Sequence, residues 1–100
     1  MSGFDMTKLA GQLNQIQGVL QKIRVEGNSN GGGLKVVLNG QQDVLAVRIM
    51  PPLLAPANKS RLETELLMAF NQGLKKSKER ATREINQLVG IDISQLNQFF

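Results

Sequence analysis

The sequence predicts an α+β fold, with an N-terminal helix, a small three-stranded antiparallel sheet that contains an Asn-Gly hairpin, and a long C-terminal helix. Three observations lead to this prediction. Apolar residues recur at helical spacing over residues 5–24, alternate as in a β-strand over residues 34–50, and return on a stretch without strong helix breakers over residues 58–89. The 100 residues match one domain in size. We assign residues 1–90 to this domain and residues 91–100 to a C-terminal tail.

The first helix carries a heptad pattern. Its apolar side chains are spaced by three and four residues: Met6, Leu9, Leu13, Ile16, Leu20 and Ile23. Asp5 or Ser2 is a candidate N-cap. Gly11 and Gly18 each cost about 1 kcal/mol of helix stability relative to Ala, so the helix needs a surface to pack on. Its own sheet and a second chain both fit the pattern, and the narrow seam favours contact between helices, partly across subunits.

A glycine-rich turn and a hairpin follow the first helix. Val25 begins a short extended run, and residues 27–33 are a cluster of turn formers. We interpret its glycine run, residues 31–33, as a flexible hairpin tip, and Asn39-Gly40 joins two further strands. A four-residue loop over residues 39–42 would place Leu45 opposite Val36. This register predicts one buried face with Leu34, Val36, Leu45, Val47 and Ile49, and a wetter face with Lys35 and Arg48.

The second helix is predicted to be long. Ser60 and Glu63 fit a capping box, although a start near Asn58 is also compatible with the sequence. Only Gly73 weakens the helix before Gly90, which is suited to a C-cap. About 30 residues would give a length of about 45 Å. Three apolar residues of its first half are predicted core: Leu62, Leu66 and Phe70. A second set is spaced by sevens and favours helix–helix packing: Leu67, Leu74, Ala81 and Leu88.

The charge of the chain is concentrated in one segment. The chain has 12 Lys and Arg residues against 8 Asp and Glu residues, which gives a formal net charge of +4. Residues 75–83 account for this whole surplus, because Glu79 is the only anion among five cations, which we call the basic arm: Lys75, Lys76, Lys78, Arg80 and Arg83. A projecting cationic helix binds phosphates well, because binding releases counterions from the nucleic acid. The plain alternative is a solvated helix end that only keeps the protein in solution.

The composition excludes several classes of function. The chain contains no Cys and no His, which removes disulfides, thiolate nucleophiles and Ser-His or Cys-His triads. We assign no catalytic residue, cofactor or metal, and predict that the protein is not an enzyme. The run Gly31-Gly32-Gly33 opens a strand and lacks a following Gly-Lys-Ser/Thr, so it is not a phosphate-binding loop. Residues 1–24 do not have the pattern of a signal peptide, and no apolar run is long enough to span a membrane.

Several short motifs occur in a characteristic order. They are Gly31-Gly32-Gly33-Leu34-Lys35-Val36-Val37-Leu38-Asn39-Gly40, the strand Val44-Leu45-Ala46-Val47-Arg48-Ile49, then Pro52-Leu53-Leu54, Leu62-Glu63 and Ala69-Phe70-Asn71. Over roughly residues 5–90 this layout resembles the YbaB/EbfC family of bacterial nucleoid-associated proteins. The resemblance implies a homodimer with projecting helical arms that binds double-stranded DNA with low sequence specificity. It also implies a place in the cytoplasm and nucleoid, with effects on nucleoid organisation and gene expression. Met50-Pro51 departs from the family pattern, which has an acidic residue before the proline.

We assign DNA contacts first to the basic arm. Secondary candidates lie on or after the first helix and on the hairpin: Lys8, Lys22, Arg24, Lys35 and Arg48. The predicted dimer interface comprises Leu13, Ile16, Leu20, Leu67 and Leu74. A small dimeric adaptor is the alternative function, in which the heptad helices bind a protein partner and the basic arm only solubilises. Salt separates the two, because phosphate binding weakens steeply with salt and an apolar helix contact does not.

Overall fold

The computed structural model describes residues 6–89 and has the predicted α+β architecture. The elements in chain order are α1 (Met6–Lys22), β1 (Val25–Asn28), β2 (Leu34–Leu38), β3 (Val44–Ile49), two short 3-10 turns (Pro51–Leu54 and Pro56–Asn58) and α2 (Lys59–Val89). The strands form one antiparallel sheet in the order β1-β2-β3. The fold class is therefore confirmed. The candidate caps Ser2, Asp5 and Gly90 and the tail 91–100 lie outside the described residues.

The core lies between α2 and the first two strands. Leu34, Val36 and Leu38 alternate along β2 and are buried against α2 together with Leu53 and Ala69. The helix contributes a buried stripe at every fourth position: Glu65, Ala69, Gly73, Ser77 and Ala81. This spacing keeps one side of α2 on the sheet for about 24 Å of its length.

The backbones of α2 and β1 touch at two glycines. A Cβ atom on Gly27 would lie 2.8 Å from Cα of Gly73 and would overlap the carbonyl oxygen of Ala69. Gly73, which the sequence marks only as a weak point of the helix, is therefore a site of close approach. The helix can lie this low on the sheet only because both contact positions lack a side chain.

The glycine-rich turn joins the antiparallel strands β1 and β2, as expected of a hairpin tip, and it is packed on α2. Ser29 and Gly33 donate hydrogen bonds to the buried carboxylate of Glu65, from Ser29 Oγ at 2.6 Å and from the Gly33 N–H. Arg61 Nε pairs with the second oxygen of Glu65 at 2.7 Å. A Cβ on Gly31 would lie 2.8 Å from this carboxylate, and Gly32 has a φ of 72°, which favours glycine. The turn is thus fixed by one carboxylate of the helix.

The charge state of Glu65 follows from these contacts. The Ser29 hydroxyl, the Arg61 guanidinium and the Gly33 amide together hold the pKa of Glu65 below its ordinary value of 4.5, although burial acts in the opposite direction. Glu65 is therefore an ionised anchor of the fold at neutral pH.

The register of β3 differs from the prediction. Val36 lies opposite Val47, where the predicted register has Leu45. A bulge follows Val37 in the pairing, and the hairpin loop comprises residues 39–43. The predicted four-residue loop is therefore one residue too short, and Leu45 is the unpaired extra residue of the bulged strand.

The side chain of Asn39 explains the longer loop. Its Oδ1 accepts hydrogen bonds from the N–H groups of Gln41 at 2.9 Å and Asp43 at 3.1 Å. Its carbonyl oxygen accepts a 2.6 Å hydrogen bond from Ser77 of α2, which is fully buried. Gln42 takes a φ of 66° within the loop. The turn is thus built around a buried asparagine held by the helix, and an Asn-Gly pair alone does not define its length.

Strand β3 is left uncovered on the side that faces α2. Val47 and Ile49 share a face with the core residues of β2, yet Val47 is 47% exposed and Ile49 is also exposed. The expected burial of Leu45, Val47 and Ile49 is therefore wrong for the single chain. The reason is that α2 packs mainly on β1 and β2.

The two flanks of α2 have different neighbours. Gln72 accepts a hydrogen bond from the Asn28 N–H at 2.7 Å and Lys76 donates one to the Glu26 carbonyl oxygen at 3.0 Å, so this flank faces β1. The opposite flank faces β3 and carries Leu66 and Phe70. Both are exposed, so their assignment to the core is also wrong, whereas Leu62 packs on the core as predicted. We call the exposed apolar residues of this side the β3-side face: Val44, Val47, Ile49, Leu66 and Phe70.

The helix ends also refine the sequence prediction. Helix α2 begins at Lys59, so Ser60 lies inside the helix and accepts a hydrogen bond from Thr64 through its carbonyl oxygen. The capping box is therefore absent, and the alternative start near Asn58 is correct. Helix α1 packs at its C-terminal end, where Ile23 is buried, while Leu13 is 50% exposed. The heptad seam is thus only partly covered within one chain.

Candidate nucleic-acid interface

Three cations of the basic arm are exposed on α2: two of them lie opposite the sheet, and Lys78 lies on the flank about 100° from Ser77. Ser77 and Ala81 are buried and define the side that faces the protein. Lys75 and Arg83 each lie two residues from one of these positions, which is about 160° around the helix. Lys78 is exposed as well. Within residues 6–89, none of these three cations forms an ion pair with a carboxylate. Their charge is therefore available to an external anion.

The other two cations of the basic arm contact the protein itself. Lys76 Nζ donates to the carbonyl oxygen of Glu26 at 3.0 Å, which ties α2 to β1. Arg80 Nε pairs with Glu84 Oε1 at 2.9 Å, one turn further along the helix. The structure thus divides the five predicted cations into three that face solvent and two, Lys76 and Arg80, that already bind oxygen atoms of the protein.

Arg80 lines the same groove as two of the secondary candidates, Lys22 and Arg24. A shallow groove of about 240 Å³ between α1 and α2 is lined by Val19, Lys22, Ile23, Arg24, Arg80 and Glu84. Lys22 and Arg24 are exposed and come from the end of α1 and the residue before β1. Arg24 donates from Nη1 to the carbonyl oxygens of Gln21 at 2.7 Å and Ile23 at 2.9 Å, so it also caps the C-terminus of α1.

Lys35 and Arg48 lie on a different surface. They are opposite each other in the register of β2 and β3, on the sheet face away from α2. Lys35 Nζ lies 3.4 Å from Glu26 Oε2, which offsets part of the repulsion between the two cations. The structure therefore separates these two candidates from the basic arm. Lys8 is exposed on α1.

The predicted dimer-interface residues are accessible to different extents. Leu67 is 62% exposed on the solvent side of α2, and Leu13 is 50% exposed on α1. Ile16 and Leu20 are half-buried, and Leu74 is partly buried against the core. Apolar surface thus remains on α1 and α2 as well as on the β3-side face.

Sequence reasoning missed the anionic partners of these cations. Glu84 lies four residues after Arg80, and this spacing is the signal that could have identified the pair. Glu26 requires the register of β1 and β2 to be placed beside Lys35, so only the structure reveals it. Glu65 and Ser77 carry no sequence signal beyond their helical spacing from other buried positions.

Other chemistry has little support in the described part of the chain. Residues 6–89 contain no group of three or more acidic side chains that could hold a metal ion. A cavity of about 420 Å³, open to solvent, lies beside Glu65, whose oxygens are already bound by Ser29 and Arg61. Neither helix within these residues combines the length and apolarity that crossing a bilayer requires.

The fold and the cation-bearing helix define a small α+β protein that presents positive charge on the surface of its long helix. Residues 4–91 match the model of the YbaB/EbfC DNA-binding family. The chain belongs to this family, which confirms the resemblance found in the sequence.

Curated relatives support the same assignment. The chain is 30% identical over 97 residues to a nucleoid-associated protein of Pelotomaculum thermopropionicum, covering 90% of this chain and 92% of the relative. It is 31% identical over 93 residues to one from Desulfotalea psychrophila, covering 86% and 88% of the two chains. The crystal structure of an uncharacterized Helicobacter pylori protein has a TM-score of 0.66 at 21% identity, covering 86% of this chain and 98% of that one. This last similarity shows the shared fold alone.

Proposed function

We propose that the protein binds double-stranded DNA with low sequence specificity as a homodimer, and acts in the cytoplasm on nucleoid organisation and gene expression. The observation that carries the proposal is the group of three solvent-facing cations on α2, Lys75, Lys78 and Arg83, which have no carboxylate partner within residues 6–89. Membership of a DNA-binding family supplies the anion that these cations would meet.

The same cations account for low sequence specificity. Exposed lysine and arginine side chains contact phosphate oxygens, which are the same in every sequence. Such contacts fix the position of the protein on the duplex without reading base edges. Lys76 and Arg80 belong to the proposed DNA surface as well, where α2 adjoins β1 and the end of α1. Lys35 and Arg48 would contact DNA only through a separate face of the sheet.

Homodimer formation is supported by the apolar surface that one chain leaves open. The β3-side face adjoins an edge strand, whose free N–H and C=O groups are a further cost to an isolated chain. Leu13 and Leu67 add exposed apolar surface on the two helices, with Ile16, Leu20 and Leu74 beside them. An isologous contact would bury these residues on both subunits at once. It would also double the number of cations presented to DNA.

The adaptor function remains the second candidate, because exposed apolar surface on α1 and α2 also suits a protein partner. The two proposals differ in their response to salt. A DNA complex loses affinity linearly on a log–log plot against salt, whereas an apolar contact is insensitive to salt over the same range.

The DNA proposal is tested by fluorescence anisotropy of a random-sequence duplex of about 30 base pairs at several salt concentrations. Replacing Lys75, Lys76 and Lys78 by Gln should weaken binding more than about ten-fold and reduce the salt slope by up to about 5, because a homodimer loses six cations and each neutralised phosphate contributes about 0.9. Lys59→Gln is the matched control for Lys75→Gln, because it removes the same charge from the same helix about 24 Å away. Absence of duplex binding at low salt would overturn the proposed function. Equal effects of Lys75→Gln and Lys59→Gln would overturn the role of the basic arm alone.

The dimer is tested separately by sedimentation velocity. Val47→Asp and Leu13→Asp should each shift the protein toward monomer, because a carboxylate would be buried in an apolar contact. Ala57→Asp adds the same charge at an exposed position of the second 3-10 turn, outside the β3-side face and both helices, and should leave the mass unchanged. A dimer of undiminished stability in both Val47→Asp and Leu13→Asp would show that neither apolar surface forms the interface.

A further inference from the structure

The groove between the end of α1 and the middle of α2 contains an excess of positive charge. Lys22, Arg24 and Arg80 face it together with a single carboxylate, that of Glu84. Its volume of about 240 Å³ and its open shape admit a phosphate group at the surface. The apolar floor consists of Val19 and Ile23, so the groove is polar only at its rim.

The walls of this groove are held in place by the fold. Ile23 is 5% exposed, and the carbonyl oxygen of Leu20 accepts hydrogen bonds from the N–H groups of Gly40 at 2.8 Å and Ile23 at 3.3 Å. Arg24 fixes the last turn of α1 through its two hydrogen bonds to main-chain carbonyl oxygens. The end of α1 is therefore attached to the hairpin loop, and the Asn39 carbonyl oxygen of that loop accepts a hydrogen bond from Ser77 of α2. This connection sets the spacing of Lys22 and Arg24 from Arg80.

We propose that this groove is a phosphate-binding subsite for duplex DNA, and that Glu84 occupies Arg80 in the free protein as an internal competitor of the DNA phosphate. The inference rests on the proposed DNA binding and assigns to it a specific set of residues. On binding, a backbone phosphate replaces the Glu84 carboxylate at the Arg80 guanidinium and lies between it and the side chains of Lys22 and Arg24. Glu84 thereby lowers the affinity of the arm for DNA.

The exposure of the ion pair makes this exchange feasible. The Arg80 and Glu84 side chains are 45% and 26% exposed, so solvent screens their attraction, and ion pairs at this spacing on a helix surface are weak. A phosphate in the groove meets three cations, whereas Glu84 is positioned on Arg80 alone. Binding therefore exchanges one weak ion pair for a cluster of three cations around the phosphate, and releases counterions from the DNA as well.

The test compares Glu84→Gln with Glu79→Gln in the same anisotropy titration of a random-sequence duplex. Both variants remove one negative charge from the same helix, but Glu79 is exposed and has no ion pair within residues 6–89. Glu84→Gln should bind duplex DNA about three- to ten-fold more tightly than Glu79→Gln at low salt, with an unchanged salt slope, because the same phosphates are neutralised in both complexes. The increase in affinity should fall below about two-fold in an Arg80→Gln background, because Glu84 acts through Arg80.

Each outcome decides between distinct conclusions. Equal affinities of Glu84→Gln and Glu79→Gln, with normal binding by the unmodified protein, would overturn the groove proposal and leave the proposed function intact. A full increase in affinity from Glu84→Gln in the Arg80→Gln background would also overturn it, since the effect would then be general charge. Loss of duplex binding in the unmodified protein would refute the proposed function itself. Circular dichroism of all four variants verifies that they remain folded.

Discussion

Gly27→Ala is the substitution whose effect the structure defines most sharply. The added methyl carbon would overlap the carbonyl oxygen of Ala69 and would lie 2.5 Å from the nitrogen and 2.8 Å from Cα of Gly73. All three obstructing atoms belong to the backbone of α2, so no change of rotamer relieves the overlap. The helix must therefore move away from β1.

The cost follows from the size of this movement. Carbon atoms reach favourable contact at about 3.5–4.0 Å, so α2 must rise by about 1 Å, and a gap of that size removes about a quarter to a half of the contact energy across it. Overpacking of this kind costs about 1–3 kcal/mol, and the rigid obstruction places Gly27→Ala near the upper end. The smaller freedom of Ala in the unfolded chain offsets about 0.4–1 kcal/mol. The expected net loss is about 2–3 kcal/mol, which is a large fraction of a stability of about 5–15 kcal/mol.

Thermal unfolding followed by circular dichroism measures this loss. For a domain of this size about 1 kcal/mol corresponds to about 4–8 °C, so Gly27→Ala should lower the Tm by about 8–24 °C. Gly18→Ala is the control, because a Cβ there meets nothing within 4 Å and should stabilise α1 by up to about 1 kcal/mol. Protein concentration must be equal in all samples, because dimerisation would shift the Tm. A Gly27→Ala protein that melts at or above the original temperature would refute the close contact of β1 and α2.

Three further predictions follow from the structure. Glu65→Gln should make the free energy of unfolding less dependent on pH in acid. The lowered pKa of Glu65 stabilises the original protein above about pH 4.5, and this stabilisation is lost as the pH falls further. Equilibrium unfolding at a series of pH values measures the difference. Ser77→Ala should cost about 1–3 kcal/mol in urea unfolding, because it leaves the carbonyl oxygen of buried Asn39 without its 2.6 Å donor, whereas Thr64→Ala at an exposed position should change stability little. Lys35→Gln should weaken duplex binding less than Lys75→Gln at the same salt concentration, because the Lys35 charge is already paired with Glu26; a larger effect at Lys35 would place the DNA on the sheet.

The elements of the fold could be predicted from the sequence because each has its own local signal. The change of apolar period from helical to alternating marks α1 and β2, and the absence of breakers marks α2. The length of the hairpin loop could not be predicted in the same way. It depends on a hydrogen bond between Asn39 and Ser77, which lie 38 residues apart. The residues of the turn alone do not indicate a contact with a residue so distant in sequence.

Burial was predicted less well than secondary structure, for a related reason. Val47, Leu66 and Phe70 have the apolar spacing of core residues, and that spacing is correct for a face that something covers. The spacing does not indicate which surface packs against these residues. Within one chain α2 is wide enough for two strands of the three, so residues with a core pattern remain exposed. The sequence identifies the cations that could contact DNA. Their internal partners, Glu26 and Glu84, can be identified only from the strand register and the helix geometry.

The arrangement of α2 connects stability with the proposed function. Its buried stripe ends at Ala81, and the basic arm begins at Lys75, so the two overlap by about two turns. The contact of Gly27 with Gly73 just before this overlap and the hydrogen bond of Ser77 within it hold the helix at a fixed height and rotation. The cations therefore stand on a rigid part of the fold, even though their side chains are solvated. Substitutions that displace α2 from the sheet, such as Gly27→Ala, should also reduce the difference in duplex affinity between Glu84→Gln and Glu79→Gln. The reason is that the groove keeps its shape only while α2 stays on the sheet.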